Sequence, residues 1–280
     1  MKTQPLSPSL KEIPNPPKNF YVEGILPDFS RPWLAIVGTR KATSEGLRLA
    51  KNFAKELAQN NCVIVSGLAL GIDSAAHQGA LDGGGQTVAV LANGLDNIYP
   101  AQNENLAKKI LETGGAIVSE YPDGTPSLPH QFLERNRIIS GLSIATVVIE
   151  APQKSGALAT AGFAASQGRE VFVIPGPISH SNYRGSHALI RDGARLVTSP
   201  EEVLEDLGLQ TKELKNNATL PFGGSDEQKK IIYHIESAGR PLAVDEIIIL
   251  AKLEPRVVNR ELALLTIQSI IKETEKGYTI

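Results

Sequence analysis

The chain has 280 residues, of which 41% are hydrophobic and 21% are charged, and its formal net charge is −2. These fractions are ordinary for a globular protein, and the length suits one larger domain and a smaller one. The slightly negative charge excludes the overall basicity of many proteins that bind nucleic acids or membrane surfaces. It is compatible with a local basic groove.

The single cysteine, Cys62, and the five histidines limit the sites that the chain can build. One cysteine excludes a disulfide framework and a cysteine-based metal site, and no two histidines have the H-x-x-x-H spacing of a zinc site. Residues 1–20 lack the apolar core of a signal peptide, and no apolar run has the length of a membrane span. We therefore expect a cytoplasmic protein that needs no membrane, metal or cofactor.

Residues 1–30 are rich in proline, which occurs six times between Pro5 and Pro27. Proline fixes φ and removes a backbone hydrogen-bond donor, so a segment of this composition favours an extended path. We interpret residues 1–30 as an extended lead-in and not as a domain.

From Leu34 onward, short apolar runs rich in β-branched residues alternate with helical patterns. Continuous apolar runs are typical of strands buried on both faces, as in a parallel sheet wrapped by helices. We therefore predict an α/β domain over residues 31–207, with a doubly wound, Rossmann-like, mostly parallel sheet. The predicted strands are 34–37, 62–66, 87–91, 116–119, 145–150, 170–174 and 195–197.

The rest of the chain has a different pattern. Residues 208–225 are polar and end with proline and glycine, which predicts a linker. Residues 226–280 contain three helical patterns and close with a short hairpin or strand that has Gly277 as its turn, which favours a small winged-helix domain. This segment has eight basic and nine acidic residues. That balance favours a protein-contact or accessory role over a grip on duplex DNA.

The loops that follow the predicted strands carry the chemistry, because ligands of open parallel sheets bind beyond the carboxyl ends of the strands. Nearly all of these loops contain glycine, which lets a ligand approach the backbone, and helix N-termini there favour anions. Ser155 is placed to cap one such helix. The candidate binding residues are Gly38, Thr39, Arg40, Lys41, Gly67, Gly71, Asn93, Gly94, Tyr99, Arg135, Asn136, Arg137, Lys154, Ser155, Gly156, Thr160 and Arg184.

The basic residues among these candidates differ in their sequence context. Arg40 and Lys41 have no acidic neighbour before Glu45, so we expect them to face a ligand. For Arg135 and Arg137, an internal pair with a carboxylate is as strong an expectation as a ligand contact.

Asp73 and His77 stand four residues apart at a predicted helix start, a spacing that a hydrolase dyad also shows. We favour a structural interpretation, in which Asp73 caps the helix and His77 forms a local hydrogen bond. No set of carboxylates or Ser-His-Asp residues has a context that supports catalysis.

Seven motifs in this order resemble the DprA/Smf family of DNA-processing proteins, over residues 31–207. The matching segments are IVGTRKATSEG, IVSGLALGIDSAAHQGAL, VLANGLDNIYPAQN, GGAIVSEYPDGTP, FLERNRIISGLS, VVIEAPQKSGALATAGFAASQGREVFVIPG and RGSHALIRDGA.

The resemblance implies an extended Rossmann-like fold that binds single-stranded DNA without hydrolysing it and loads the RecA recombinase in natural transformation. It also implies a homodimer formed through the Rossmann domain, DNA contact by Arg40, and a C-terminal winged helix as an accessory domain. The physical pattern agrees, because single strands need a cationic groove and flat side chains for bases. Tyr99, Tyr183 and Phe132 are the candidate flat side chains.

Two departures from the family pattern stand out. Many members have a helical domain of SAM type before the Rossmann part, whereas residues 1–30 are too short for one. We therefore expect a naturally short form or a trimmed chain. Glu134 also stands where the family commonly has a basic residue before R-N-R, which weakens the positive field expected there.

Two alternative functions remain open. Rossmann-like enzymes that release the base from a nucleoside monophosphate use a P-G-G-x-G-T-x-x-E loop, and KSGALATA shares its place and the hydroxyl of Thr160. Residues 161–164 supply no acid for the glutamate position, which disfavours this enzyme. The other alternative is an interaction protein whose winged helix recruits a partner.

Overall fold

The computed structural model describes residues 2–209, 225–238, 240–267, 270–274 and 277–279. The chain divides into two compact units, Met1–Thr211 and Lys212–Ile280. None of the helices in the described ranges is long and apolar enough to cross a membrane.

The first unit is built around a sheet whose central strands follow the apolar runs of the sequence. Its strands are β1 (Lys2–Thr3), β2 (Tyr21–Gly24), β3 (Trp33–Gly38), β4 (Val63–Ser66), β5 (Thr87–Val90), β6 (Ala116–Ser119), β7 (Ala145–Ile149), β8 (Glu170–Val173) and β9 (Arg195–Leu196). Within the described residues, these nine strands join in the order β1-β2-β6-β5-β4-β3-β7-β8-β9. Strands β3 to β9 are parallel to one another, whereas β2 is antiparallel to β1 and to β6.

Helices cover both faces of this sheet. They are α1 (Pro8–Lys11), α2 (Ser44–Gln59), α3 (Ile72–Asp82), α4 (Glu104–Glu112), α5 (Pro129–Leu142), α6 (Gly156–Ser166), α7 (Arg184–Arg191) and α8 (Pro200–Asp206). Helices α2, α3 and α8 contribute Phe53, Ala76 and Leu204 to one buried core. Helices α5 and α6 contribute Ile138 and Ala161 to another.

The position of β3 between two apolar cores explains why its sequence is continuously apolar. Leu34 and Ile36 belong to the core that contains α2 and α3, whereas Ala35 and Val37 belong to the core that contains α5 and α6. Successive side chains of a strand point to opposite faces, so a strand covered on both sides needs apolar residues at every position. The predicted Rossmann-like, mostly parallel α/β fold is confirmed.

The direction in which the chain adds strands reverses at β3. From β3 the chain adds β4, β5 and β6 on one side, and it then returns to add β7, β8 and β9 on the other. The loops that leave β3 and β7 therefore diverge from two neighbouring strands. A crevice opens at such a switch point, and open α/β sheets bind their ligands there.

The lead-in of residues 1–30 differs from the extended segment that we expected. Tyr21–Gly24 forms the antiparallel strand β2, in which Val22 lies opposite Val118 of β6. Leu10 of α1 and Phe20 are fully or almost fully buried in the core beside α5. The prolines fall outside Tyr21–Gly24, so this short proline-free stretch can pair with the edge of the sheet.

The second unit contains three helices, α9 (Asp226–Ala238), α10 (Val244–Ala251) and α11 (Pro255–Ile267). The antiparallel strands β10 (Lys272–Thr274) and β11 (Gly277–Thr279) follow them. One apolar core holds the helices together. The elements lie where the sequence predicts them, while the winged-helix assignment and the domain boundaries stay predictions. Of the predicted linker 208–225, residues 210–224 lie outside the described residues.

Candidate nucleic-acid interface

A cleft of about 610 Å³ opens at the switch point, between the loops that follow β3 and β7 and the N-terminal half of α5. The sequence-predicted residues that line it are Gly38, Thr39, Arg40, Lys41, Tyr99, Arg135, Asn136, Lys154, Ser155, Gly156 and Thr160. Residues that are far apart in the sequence thus meet in one place, because the parallel strands end at one edge of the sheet.

Arg40 and two aromatic rings form a continuous surface at the rim of the cleft, to which we refer as the Arg40–Phe132–Tyr99 platform. The guanidinium carbon of Arg40 lies 5.2 Å from the ring centroid of Phe132. The Phe132 centroid is in turn 5.6 Å from that of Tyr99, whose side chain is 45% exposed. Phe132 is half-buried, whereas Tyr99 is exposed. A cation beside such rings can hold a phosphate while a base stacks on the neighbouring ring.

The loop that carries Arg40 is fixed by its backbone. The Thr39 amide donates to the carbonyl of Glu150 (2.9 Å), and the Thr39 carbonyl accepts from the Ile72 amide (3.3 Å). Gly71 has φ +83° and packs so closely on the Thr39 carbonyl that a side chain would clash there. Gly71 therefore supports the Arg40 loop from behind and does not line the cleft.

Glu150 is a buried carboxylate that the sequence reasoning missed as a site residue. It accepts hydrogen bonds from the backbone amide of Thr43 (2.9 Å), the Thr43 hydroxyl and the side-chain Nδ2 of Asn182 (2.9 Å). Burial acts to raise its pKa, but these hydrogen bonds outweigh that effect and lower the pKa. Thr43 also caps α2 by accepting from the Gly46 amide (2.9 Å), so Glu150 fixes the end of the Arg40 loop. In the sequence, the signal for Glu150 is its position as an acidic residue at the end of the apolar run 145–150.

Tyr183 does not provide the exposed ring that the sequence suggested. Its side chain is buried, and its hydroxyl donates to Glu150 (3.3 Å). Gly176 packs against the ring, where any side chain would clash. Tyr183 therefore belongs to the support of Glu150 and does not offer a face to a base.

Arg135 lies under the cleft and is only 4% exposed. Its Nη1 donates to the carbonyls of Gly67 (2.7 Å) and Val90. Burial lowers the pKa of Arg135 to about 10, an effect that nearby Asp73 partly offsets. The guanidinium therefore stays charged at neutral pH and contributes a positive potential to the floor of the cleft. Gly67 has no room for a side chain, because the guanidinium packs directly on it.

Arg137 is bound internally. Its Nη1 and Nη2 donate to the two carboxylate oxygens of Glu120 (2.8 and 2.7 Å), and its Nε donates to the carbonyl of Asn15 (2.9 Å). Two residues along a helix project about 200° apart, so Arg135 and Arg137 of α5 cannot face the same cleft. Of the two arginines for which the sequence left an internal carboxylate pair open, Arg137 forms that pair.

The first turn of α6 faces the cleft with backbone N–H groups that have no partner within the helix. The Ser155 side chain does not cap this helix, contrary to our expectation, and its buried hydroxyl has no hydrogen-bond partner among the described residues. Asn136 Nδ2 and the Thr160 hydroxyl both donate to the Gly156 carbonyl (3.2 Å each). Lys154 is exposed beside this turn. The turn therefore offers an anion site with a lysine next to it.

Three further sequence candidates lie outside the cleft. Asn93 is buried, and its Nδ2 donates to the carbonyl of Gly94 (2.8 Å), so it shapes its own loop. Gly94 packs against Asp96 and the neighbouring loop. Arg184 is exposed at the first residue of α7 and is not among the residues that line the cleft.

Asp73 and His77 do not form a dyad. Asp73 accepts from the Gly67 amide (3.1 Å), whereas His77 Nδ1 shares a hydrogen bond with the Thr87 hydroxyl (2.7 Å). His77 is fully buried, and burial lowers its pKa to about 3, so it is neutral. The local hydrogen bond that we favoured for His77 is present, but Gly71 holds the N-cap position that we expected Asp73 to fill. Among the described residues, no group of three or more His, Cys, Asp or Glu could hold a metal ion.

Residues 2–208 match the model of the family described as DNA recombination-mediator protein A. Protein Smf of Escherichia coli is 45% identical over 221 residues, which are 79% of this chain and 59% of that protein. DNA processing protein DprA of Streptococcus pneumoniae is 42% identical over 197 residues, or 70% of this chain and 69% of that protein.

Two solved structures share the fold. DNA processing protein A of Streptococcus pneumoniae has a TM-score of 0.68 and 41% identity, over 72% of this chain and 70% of that one. DNA processing protein A of Helicobacter pylori, solved for its single-stranded DNA binding mode, has a TM-score of 0.68 and 31% identity. That match covers 74% of this chain and 94% of the other.

Proposed function

This chain belongs to the DNA recombination-mediator protein A family, and from that premise we propose that its first unit binds single-stranded DNA in the cleft beyond β3 and β7. The observation that carries the proposal is the Arg40–Phe132–Tyr99 platform, in which a cation stands beside two aromatic rings. The DNA-binding mode for which the Helicobacter pylori relative was solved supports the same ligand.

Some groups of the cleft bind phosphates, and others bind bases. Arg40, Lys41 and Lys154 are exposed cations at its rim, and the first turn of α6 adds backbone donors, so these groups bind phosphates. Phe132 and Tyr99 stack on bases, which all present a flat face. Stacking and phosphate contacts read no base edges, so this binding has weak sequence preference and strong dependence on salt.

The role that we propose is binding without catalysis. Asp73 and His77 bind separate structural partners, and residues 161–164 offer no acid to the cleft. By family membership, the protein protects incoming single strands and loads the RecA recombinase in natural transformation, as a cytoplasmic homodimer formed through the first unit. The chain spans 59% of the length of its Escherichia coli relative, so these roles of the whole protein are part of the proposal.

For the second unit we propose a winged helix with a protein-contact role. Arg260 of α11 is paired with the buried carboxylate of Glu261 (2.6 Å), which offsets the charge of one cation on that helix. On α10, Ile249 and Leu250 are 72% and 45% exposed. Exposed apolar residues favour a protein partner over a phosphate backbone.

A gel shift that compares a labelled single strand with the matching duplex tests the proposed function. We expect a shift of the single strand at protein concentrations that leave the duplex free, and light scattering of the same sample should report a dimer. Equal shifts of both forms, or none at low salt, would remove the proposal.

A further inference from the structure

A second concavity, of about 830 Å³, lies beside the cleft between α2, α3 and α4, and we call it the α2–α4 groove. Arg40 and Lys41 line both the cleft and this groove. The cleft and the groove therefore adjoin at Arg40 and Lys41, and a chain that lies across these two residues reaches both concavities.

The charge of the groove suits a polyanion. The basic residues that line it are Arg40, Lys41, Arg48, Lys51 and Lys109, and the described lining includes no carboxylate. Arg48 pairs with Glu45 (2.6 Å) and Lys51 pairs with Asp82 (2.7 Å), and neither of these acids lines the groove. Lys109, near the end of α4, is exposed and forms no ion pair within the described residues.

The uncharged lining suits a sugar–phosphate backbone better than bases. Leu47 and Leu70 are exposed apolar residues on which a deoxyribose can lie. Gln102 and Asn105 add exposed amides that can donate to phosphate oxygens. The described lining contains no aromatic side chain, so the stacking that the platform offers in the cleft has no counterpart here.

We propose that the α2–α4 groove binds the phosphate backbone of the nucleotides that leave the cleft past Arg40, so that one single strand occupies both concavities. This inference rests on the proposed function and extends it from the cleft to a longer track. It assigns Lys109 to a phosphate contact at a distance from the platform, and it predicts that the site size exceeds what the cleft alone accommodates.

The test compares Lys109→Glu with Lys108→Glu, by fluorescence anisotropy of labelled oligothymidylates. Lys108 is the neighbouring exposed lysine on α4 and does not line the groove, so both variants change the net charge equally. The two probes have about 6 and about 20 nucleotides, which lie near the lower end and above the upper end of the roughly 4–16 nucleotides that one single-strand-binding OB fold covers. Thermal melts of both variants check that α4 is intact.

We expect Lys109→Glu to bind the longer probe about ten-fold more weakly than Lys108→Glu does. Its salt slope should be lower by about 0.7 for each phosphate that is no longer neutralised. The short probe should bind both variants alike. Equal binding of the long probe by the two variants, or an equal weakening with both probes, would overturn the track and leave the cleft in place. Failure of the wild-type protein to bind either probe would overturn the proposed function as well.

Discussion

The guanidinium of Arg40 lies 5.2 Å from the ring centroid of Phe132, although the two residues are far apart in the sequence and come from different elements. Arg40 is presented by the loop after β3, whereas Phe132 is in the first turn of α5. The sheet edge and the start of that helix converge at the switch point, which places a cation and a ring at one rim. Substitutions at the rim and in its support therefore have separable effects on DNA binding and on stability.

Phe132→Ala should weaken the binding of an oligothymidylate without changing its salt slope. Removing the ring beneath one stacked base costs about 1–3 kcal/mol, whereas every cation that faces a phosphate stays in place. Fluorescence anisotropy at several salt concentrations measures both quantities. Tyr233→Ala, which removes an exposed ring of the second unit, should have no effect. A reduced salt slope in Phe132→Ala would show that the ring acts through Arg40 and not by stacking.

Arg137→Met should lower stability and leave the salt slope of DNA binding unchanged. The substitution removes both hydrogen bonds to Glu120 and leaves a mostly buried carboxylate without its partner. We expect a decrease of about 3 kcal/mol in the free energy of unfolding, the lower end of the range for buried pairs, because this pair keeps some exposure. Urea denaturation measures the decrease. If Arg137→Met were as stable as the wild type but bound DNA more weakly, the internal role of Arg137 would be wrong.

Glu150→Gln should destabilise the protein at neutral pH, and the difference from the wild type should shrink in acid. A glutamine can keep its carbonyl oxygen on the amides of Thr43 and Asn182, and its NH₂ group then faces the Thr43 and Tyr183 hydroxyls. The substitution removes the charge that strengthens these hydrogen bonds, and a hydrogen bond to a charged group contributes about 1.5–3 kcal/mol. Because the pKa of Glu150 is lowered in the folded state, its charged form contributes stability at neutral pH. That contribution disappears as the pH falls through the folded pKa.

Thermal melts of wild type and Glu150→Gln between pH 7 and about pH 3 test this pH dependence, since the interval spans the ordinary range of a glutamate. Glu112→Gln, a change at an exposed position on α4, is the control and should follow the wild type. A melting difference that stays constant over the whole interval would contradict a charged Glu150 in the folded state.

The protein should release no free base from AMP. Thr160 donates to the Gly156 carbonyl, and the helix turn that follows carries no acid to replace the missing glutamate. Chromatography of AMP after incubation with the protein checks this directly. Free adenine at catalytic turnover would replace the binding role with an enzymatic one.

The sequence predicts the sheet well because its signals are local. The apolar runs mark the central strands, whereas the order of the strands in the sheet and the switch point at β3 are seen only in the structure. Glycine in the loops after the strands predicts the close approach of another group without identifying that group. Gly71 approaches the Thr39 carbonyl and Gly67 approaches Arg135, so both glycines make room for other parts of the protein. A single sequence cannot distinguish a ligand from another part of the protein at such a glycine.

The roles of charged and aromatic residues were harder to predict, because they depend on long-range partners. Arg137 finds Glu120 on another element, and Tyr183 is buried against Glu150. The lead-in was predicted only as an extended segment because prolines dominate it, while the four residues that pair with β6 carry a weak signal. For Arg40, the lack of an acidic neighbour in sequence predicted an unpaired cation, and no acid forms an ion pair with it among the described residues.

In the complex that we propose, Arg40 binds the phosphates of single-stranded DNA at the rim of the cleft. The most direct measurement is the salt dependence of oligothymidylate affinity for wild type and Arg40→Ala, with Arg191→Ala as a control at an exposed arginine of α7 outside the cleft. We predict weaker binding by Arg40→Ala and a salt slope lower by about 0.7 for each phosphate that Arg40 neutralises, with Arg191→Ala close to wild type. Wild-type affinity and slope in Arg40→Ala would show that Arg40 does not bind the phosphates.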